Sequence, residues 1–199
     1  YHSLYDYARL VKSYRIAPPR GWSSLEDYLG ELGAALDRIH GPFHHPVGQS
    51  LRHGSQTMRA LADYPDPAIR ALFDAINPPI RDHVAAIGEA EQKYRVDSAW
   101  SVRLNSGGFH VNHVHPEGWL SSACYIELPE TLGSRGGEGW IKFGESGIPT
   151  TPPLDAEYFV RPEPGLLVLF PSWMWHGTVP FSGGENDRRL TIAFDVVPA

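Results

Sequence analysis

One discontinuity governs what this chain can fold into: apolar residues recur with a helical period up to about residue 96 and with a strand period after it. In the first part, Ser23 and Glu26 are spaced as a capping box, and Leu25, Tyr28, Leu29, Leu32, Leu36 and Ile39 then recur three or four apart. That spacing predicts a helix over about 24–40. Asp66-Pro67, an N-cap followed by proline at the first helical position, predicts a second helix carrying Ile69, Leu72, Phe73 and Ile76. Asn77-Pro78 repeats the device and predicts a third, with Ile80, Val84 and Ile87 on one face. Each apolar stripe needs a surface to lie against. The second part supplies it, as short β-branched or aromatic runs over 98–104, 109–115, 119–128, 139–143, 158–161, 166–170, 174–179 and 189–197, separated by Gly, Pro and Asn. The Gly- and Pro-rich stretch 133–153 reads as a long loop broken by one strand. Many short strands in so little chain predict a closed or double-sheet unit such as a jelly roll. The expected architecture is α+β: a double-stranded β-helix with an N-terminal helical layer packed on one sheet, within one catalytic domain over 1–199.

Composition removes several classes of function. At 199 residues the chain can bury one substantial core. The net charge of −6, with Arg188-Arg189 the one adjacent basic pair, speaks against a nucleic-acid partner, which requires clustered Lys and Arg. The longest apolar run, 166–170, is far short of the roughly 20 residues that span a bilayer, so no membrane segment is expected. The single cysteine, Cys124, excludes an intramolecular disulfide, and its apolar flanks read as a buried strand. A cytoplasmic setting fits. The chain opens on Tyr1 rather than Met, the pattern of an excised domain or of a chain lacking its start.

Chemistry is concentrated in the histidines. Ten occur, and His110, His113 and His115 crowd together. Residues two apart on a strand share a side, so His113 and His115 can converge on one ion while Val114 faces the other layer; His110, at odd spacing from His113, falls on the opposite face. The bland alternative is a solvated or hydrogen-bonded pair. His176 follows the apolar run 166–170 and a proline turn, and lies between Trp175 and Gly177. Alone it reads equally well as a core histidine in an aromatic cluster. A third imidazole from a distant strand is, however, what a facial metal triad requires, with the remaining positions left open. Arg189 and Thr191 share one face of a strand whose other face carries Leu190, Ile192 and Phe194. A guanidinium there is either a surface charge or a two-pronged clamp for a carboxylate. Trp119, Trp173 and Trp175 are candidates for pocket walls or for aromatic packing.

Together, His113-Val114-His115, His176 and Arg189-Leu190-Thr191 resemble the pattern of the iron- and 2-oxoglutarate-dependent oxygenases: His-x-Asp/Glu, a distal His, then Arg-x-Ser/Thr. The match is nearest to a bacterial, prolyl-hydroxylase-like branch, some of whose members are attached to tetratricopeptide repeats. It is carried by His-Val-His-Pro at 113–116, Trp119-Leu120-Ser121-Ser122 leading to Tyr125, Phe170-Pro171-Ser172, and the run Arg189 to Phe194. The resemblance covers residues 98 to 198 well and the helical part in outline. It implies Fe(II) held by His113, His115 and His176, and 2-oxoglutarate gripped by Arg189 with Thr191 and Tyr125. It further implies O₂ as co-reactant, hydroxylation of a C–H bond of an amino acid, protein side chain or small metabolite, and, in the full-length protein, an upstream repeat region. A homo-oligomer is left open. One departure stands out: His115 occupies the place where most relatives have Asp or Glu, so it either completes a three-imidazole face or stands aside. The rival reading is a cupin-like metal-binding isomerase or sensor. Gly107, His113 and His115 fit the start of that pattern, but its later glutamate and second motif are missing, and Arg189 has no role in it. A non-catalytic scaffold on the same fold is a third reading.

Overall fold

The computed structural model describes residues 5–41, 48–129, 132, 136–184 and 187–199. A short helix α1 (Tyr7–Leu10) and strand β1 (Lys12–Arg15) precede helix α2 (Leu25–Ile39); strand β2 (Leu51–Gln56) and a 3-10 turn (Leu61–Asp63) lead to helix α3 (Pro67–Ala86). Strands β3 (Tyr94–His110), β4 (Leu120–Glu127), β5 (Ile141–Phe143), β6 (Tyr158–Val160), β7 (Leu166–Pro171), β8 (His176–Thr178) and β9 (Arg188–Pro198) follow. They form a six-stranded sheet in the order β1-β7-β4-β9-β3-β2 and a three-stranded sheet in the order β6-β5-β8, both antiparallel in every pairing. This is the double-stranded β-helix with an N-terminal helical layer.

Strand parity decides which side chains reach which layer. On β9, Leu190, Ile192, Phe194 and Val196 point to the helices and join Tyr28, Leu32, Leu36, Ile69, Leu72, Ile76 and Ile80 in one buried cluster. On the opposite face of β9 stand Arg189, Thr191, Ala193 and Asp195, all lining a cavity between the sheets. Cross-strand pairing extends that face: Val102 lies opposite Thr191 and Trp100 opposite Ala193 on β3, while Tyr125 and Ser121 lie opposite Thr191 and Asp195 on β4. Cys124 is buried and faces the helices.

Several elements differ from their expected bounds. The cap of α2 is Ser24, which accepts from the Asp27 amide at 3.0 Å, while the Ser23 hydroxyl donates to the Asp27 carboxylate. The second and third expected helices are a single helix of 20 residues with Pro78 and Pro79 inside it. An internal proline costs about 3 kcal/mol, but Ile69, Leu72, Ile76, Ile80 and Val84 keep one buried stripe in phase across the break, and each such side chain contributes roughly 1.5–3 kcal/mol on burial. The stripe wins. The expected strand over 109–115 does not exist as such: β3 absorbs 98–104 and continues to His110, where it ends. The stretch 133–153 holds β5, as expected of its one strand; residues 133–135 lie outside those described.

Candidate metal centre

Beyond His110 the chain leaves regular strand and is pinned to the turn between β7 and β8. His113 N donates to His176 O at 2.9 Å, His176 N to His113 O at 3.0 Å, and His115 N to Ser172 O at 2.9 Å. Gly177 makes this approach feasible, because a Cβ there would lie 2.4 Å from Asn112 Oδ1. The two-residue bridge places the His113 and His176 rings 4.2 Å apart, centroid to centroid, with His115 at 5.1 and 5.3 Å from them. One nitrogen from each of the three lies within 4.8 Å of the others.

The hydrogen bonds settle which nitrogens those are. His113 Nδ1 meets the Val111 carbonyl at 2.8 Å, His176 Nδ1 the Met174 carbonyl at 2.9 Å, and His115 Nδ1 both oxygens of Asp195 at 2.7 and 2.8 Å. Carbonyl and carboxylate oxygens only accept, so each Nδ1 carries a proton, and the lone pair of the neutral ring lies on Nε2. Metal-binding imidazoles are oriented in this way. Burial pushes His113 down to about 4 and His176 well below the ordinary range, the neighbouring imidazoles adding to the effect, so both are neutral at pH 7. Neutral imidazole nitrogen suits Fe, Zn, Cu or Ni. The donor set therefore fits a divalent transition metal. Ser50 Oγ, 3.3 Å from His113 Nε2, is the one protein group competing for a lone pair of the triad among the described residues.

Arg189 lies in the same cavity, whose volume is about 630 Å³. Only 2% of it is exposed, and among the described residues it has no ion-pair partner. Its Nε and the Tyr125 hydroxyl are both buried without a hydrogen bond of ordinary geometry, but the two side chains interact with each other, the guanidinium carbon lying 5.0 Å from the Tyr125 ring centroid. Burial lowers the affinity of Arg189 for its proton and raises that of the Tyr125 phenol, which stays a neutral donor. A buried guanidinium beside a phenol, with no carboxylate to meet it among the described residues, fits an anion, since an unmatched buried cation is costly. Thr191 Oγ1 is 3.5 Å from the Val102 carbonyl and lines the same wall. The adjacent Arg188 is spent otherwise, on Glu127 at 3.0 and 2.9 Å and on Asp37 at 2.8 Å.

Some expectations need correction. His110 is not on the far side: because β3 stops there, its ring stacks on His113 with centroids 5.9 Å apart, and Ser50 Oγ bonds its Nδ1 at 2.9 Å. Val114 lines the cavity instead of facing away. Trp119 packs against the helical core and Trp173 is exposed; neither they nor Trp175 line the cavity, whereas Trp100, given no role from the sequence, does and stacks on His115 at 5.9 Å. Asp195 was also passed over. Its signal was strand parity, for it stands on the same face as Arg189 and Thr191.

A β-helix with convergent imidazoles and a buried arginine in one cavity is suited to holding a metal ion and an anion side by side. Comparison with known proteins narrows this. Residues 98–195 match the family described as "Putative 2OG-Fe(II) oxygenase", an oxidoreductase class that uses Fe(II) and 2-oxoglutarate. No curated protein sequence matches the chain. Among solved structures, the viral collagen prolyl hydroxylase of Paramecium Bursaria Chlorella virus-1 superposes with a TM-score of 0.60 at 16% identity, covering 94% of this chain and 95% of that one. A Pseudomonas putida prolyl-4-hydroxylase gives 0.60 at 15% identity, covering 97% and 95%. HygX from Streptomyces hygroscopicus, with nickel and 2-oxoglutarate bound, gives 0.65 at 15% identity, covering 100% and 87%. These similarities establish the shared fold. No described helix is long and apolar enough to cross a membrane.

Proposed function

We propose that the protein is an Fe(II)- and 2-oxoglutarate-dependent dioxygenase that hydroxylates a C–H bond of an amino acid, a protein side chain or a small metabolite. In this reading His113, His115 and His176 hold the metal through Nε2, and Arg189 grips the distal carboxylate of 2-oxoglutarate, with Thr191 and the Tyr125 hydroxyl beside it. Bound iron and 2-oxoglutarate supply the oxidising power, by coupling decarboxylation of the cosubstrate to reduction of O₂. The chain's own residues fix ligand direction, neutralise the cosubstrate and line a cavity within the roughly 300–1,000 Å³ range of small-molecule sites.

The observation that carries the proposal is Arg189: a buried guanidinium without an ion pair among the described residues, in the cavity that also holds three convergent Nε2 atoms. A cupin-like metal protein has no use for such a group, and a scaffold would do better with a leucine there. The test is anaerobic addition of 2-oxoglutarate to the Fe(II)-loaded protein, followed by the visible charge-transfer absorption of the chelate. Arg189→Ala should weaken 2-oxoglutarate by about 2–5 kcal/mol, the cost of truncating a buried charged pair, and leave Fe(II) affinity nearly unchanged. Arg189→Lys should recover part of the loss, because an ammonium lacks the two-pronged geometry. Equal 2-oxoglutarate affinity in parent and Arg189→Ala proteins would remove Arg189 from the site.

A further inference from the structure

Of the three imidazoles, two are backed by neutral groups and one by an anion. His113 and His176 each donate Nδ1–H to a backbone carbonyl, whereas His115 donates to both oxygens of Asp195. Asp195 has no other charged partner among the described residues. It is held from behind by the Ser121 hydroxyl at 2.7 Å, with the Ser172 hydroxyl 2.9 Å further on. Its side chain is 16% exposed and that of His115 is 19%, so water screens the pair little. The arrangement comes from three separate segments: Asp195 from β9, Ser121 from its partner position on β4, and His115 from the segment tied to Ser172.

We propose that Asp195 delivers to the metal, through His115, the negative charge that a directly coordinating aspartate or glutamate supplies in relatives with the common His-x-Asp/Glu pattern. The charge has moved one residue back from the ion and has kept its place in the site. A hydrogen-bonded carboxylate makes the ligating Nε2 a stronger donor, and its field favours the divalent cation over an empty, neutral three-imidazole face. Asp195 is thus a positioning residue for His115 and the counter-charge of the centre. The inference rests on the proposed metal site.

Co(II), titrated against a competing chromophoric chelator, is the probe, with the parent, Asp195→Asn, Asp195→Ala, His115→Asp and the double variant His115→Asp/Asp195→Asn compared. Asparagine keeps an oxygen that accepts from His115 Nδ1 and removes only the charge. Asp195→Asn should therefore weaken Co(II) by about 10- to 100-fold, the usual range for such outer partners, and nearly as much as Asp195→Ala. In the His115→Asp background, where the ligand carries its own charge, the Asp195→Asn change should cost less than about threefold. With iron, Asp195→Asn should raise the Fe(III)/Fe(II) reduction potential, since the oxidised ion loses more from the missing anion. Parent-like affinity in Asp195→Asn with loss only in Asp195→Ala would reduce Asp195 to an orienting group and overturn the proposal, as would equal losses from Asp195→Asn in both backgrounds. If the parent protein itself fails to bind Co(II), the metal site falls, and this inference with it.

Discussion

Histidines lie on both sides of the large sheet. At the end of α2, His40 is buried beneath the helical layer, its Nδ1 2.8 Å from Ser55 Oγ and its Nε2 3.0 Å from Ser101 Oγ. In the cavity, His113, His115 and His176 spend one nitrogen each on an outward partner and aim the other at a common point. Burial does not separate the two sides, and neither does basicity, for burial pushes both His40 and His113 down to about 4. The difference lies in what the second nitrogen faces. Both nitrogens of His40 meet buried hydroxyls, whereas the second nitrogen of each cavity histidine faces the other two, with a hydroxyl competing at 3.3 Å only on His113.

That comparison can be broken by three measurements. The largest effect is expected from His176→Ala, which should weaken divalent-metal binding by at least about 100-fold with the far-UV spectrum unchanged; His113→Ala should do the same, since in the proposed site each is a direct ligand. Undiminished Co(II) affinity in either variant would show that the free Nε2 atoms are not a binding face. His40→Ala should leave metal affinity within about twofold and lower folding stability by roughly 1–3 kcal/mol, because the buried Ser55 and Ser101 hydroxyls each lose a hydrogen bond. A urea midpoint unchanged by His40→Ala would refute its structural role. The smallest effect is in acid. His40 and His83 are both held near 4 by burial, below the ordinary value of 6.5, so the unfolded chain takes up protons before the folded one does. Their contribution is therefore complete above pH 6.5 and lost progressively as the pH falls from 6.5 towards 4. His40→Gln should flatten part of that decline in urea midpoints measured across the window; an identical slope in parent and variant would show that His40 does not titrate on unfolding.

Much of this was legible in the sequence because period and parity are written in it. The switch from helical to strand spacing near residue 96 marked the two layers, and the alternation in β9 put Arg189 and Thr191 opposite Leu190, Ile192 and Phe194. What escaped notice was set by tertiary contact. Strand β2, with the sequence LRHGSQ, shows no alternation; it is an edge strand with a bulge at Arg52–Gly54, and His53 there adopts φ 53°. Strand β1 is shorter still and lies at the other edge. Pro78-Pro79 looked like punctuation because a local rule cannot weigh a buried stripe that runs on across it. His110 was assigned to the wrong face because parity holds only while a strand lasts, and β3 ends at that residue.

Adjacent and chemically identical, Arg188 and Arg189 owe their different duties to the pleat alone: one sits in a half-buried ion-pair network, the other in the cavity. The same pleat spaces Arg189, Thr191 and Asp195 along one edge of β9. The loss or gain of one residue between 189 and 195 would turn part of this edge over, trading a cavity-facing arginine or aspartate for a core-facing leucine or phenylalanine. Lineages carrying this site can thus vary it by substitution but scarcely by insertion or deletion in β9, and length variation among them should collect in the connections between strands.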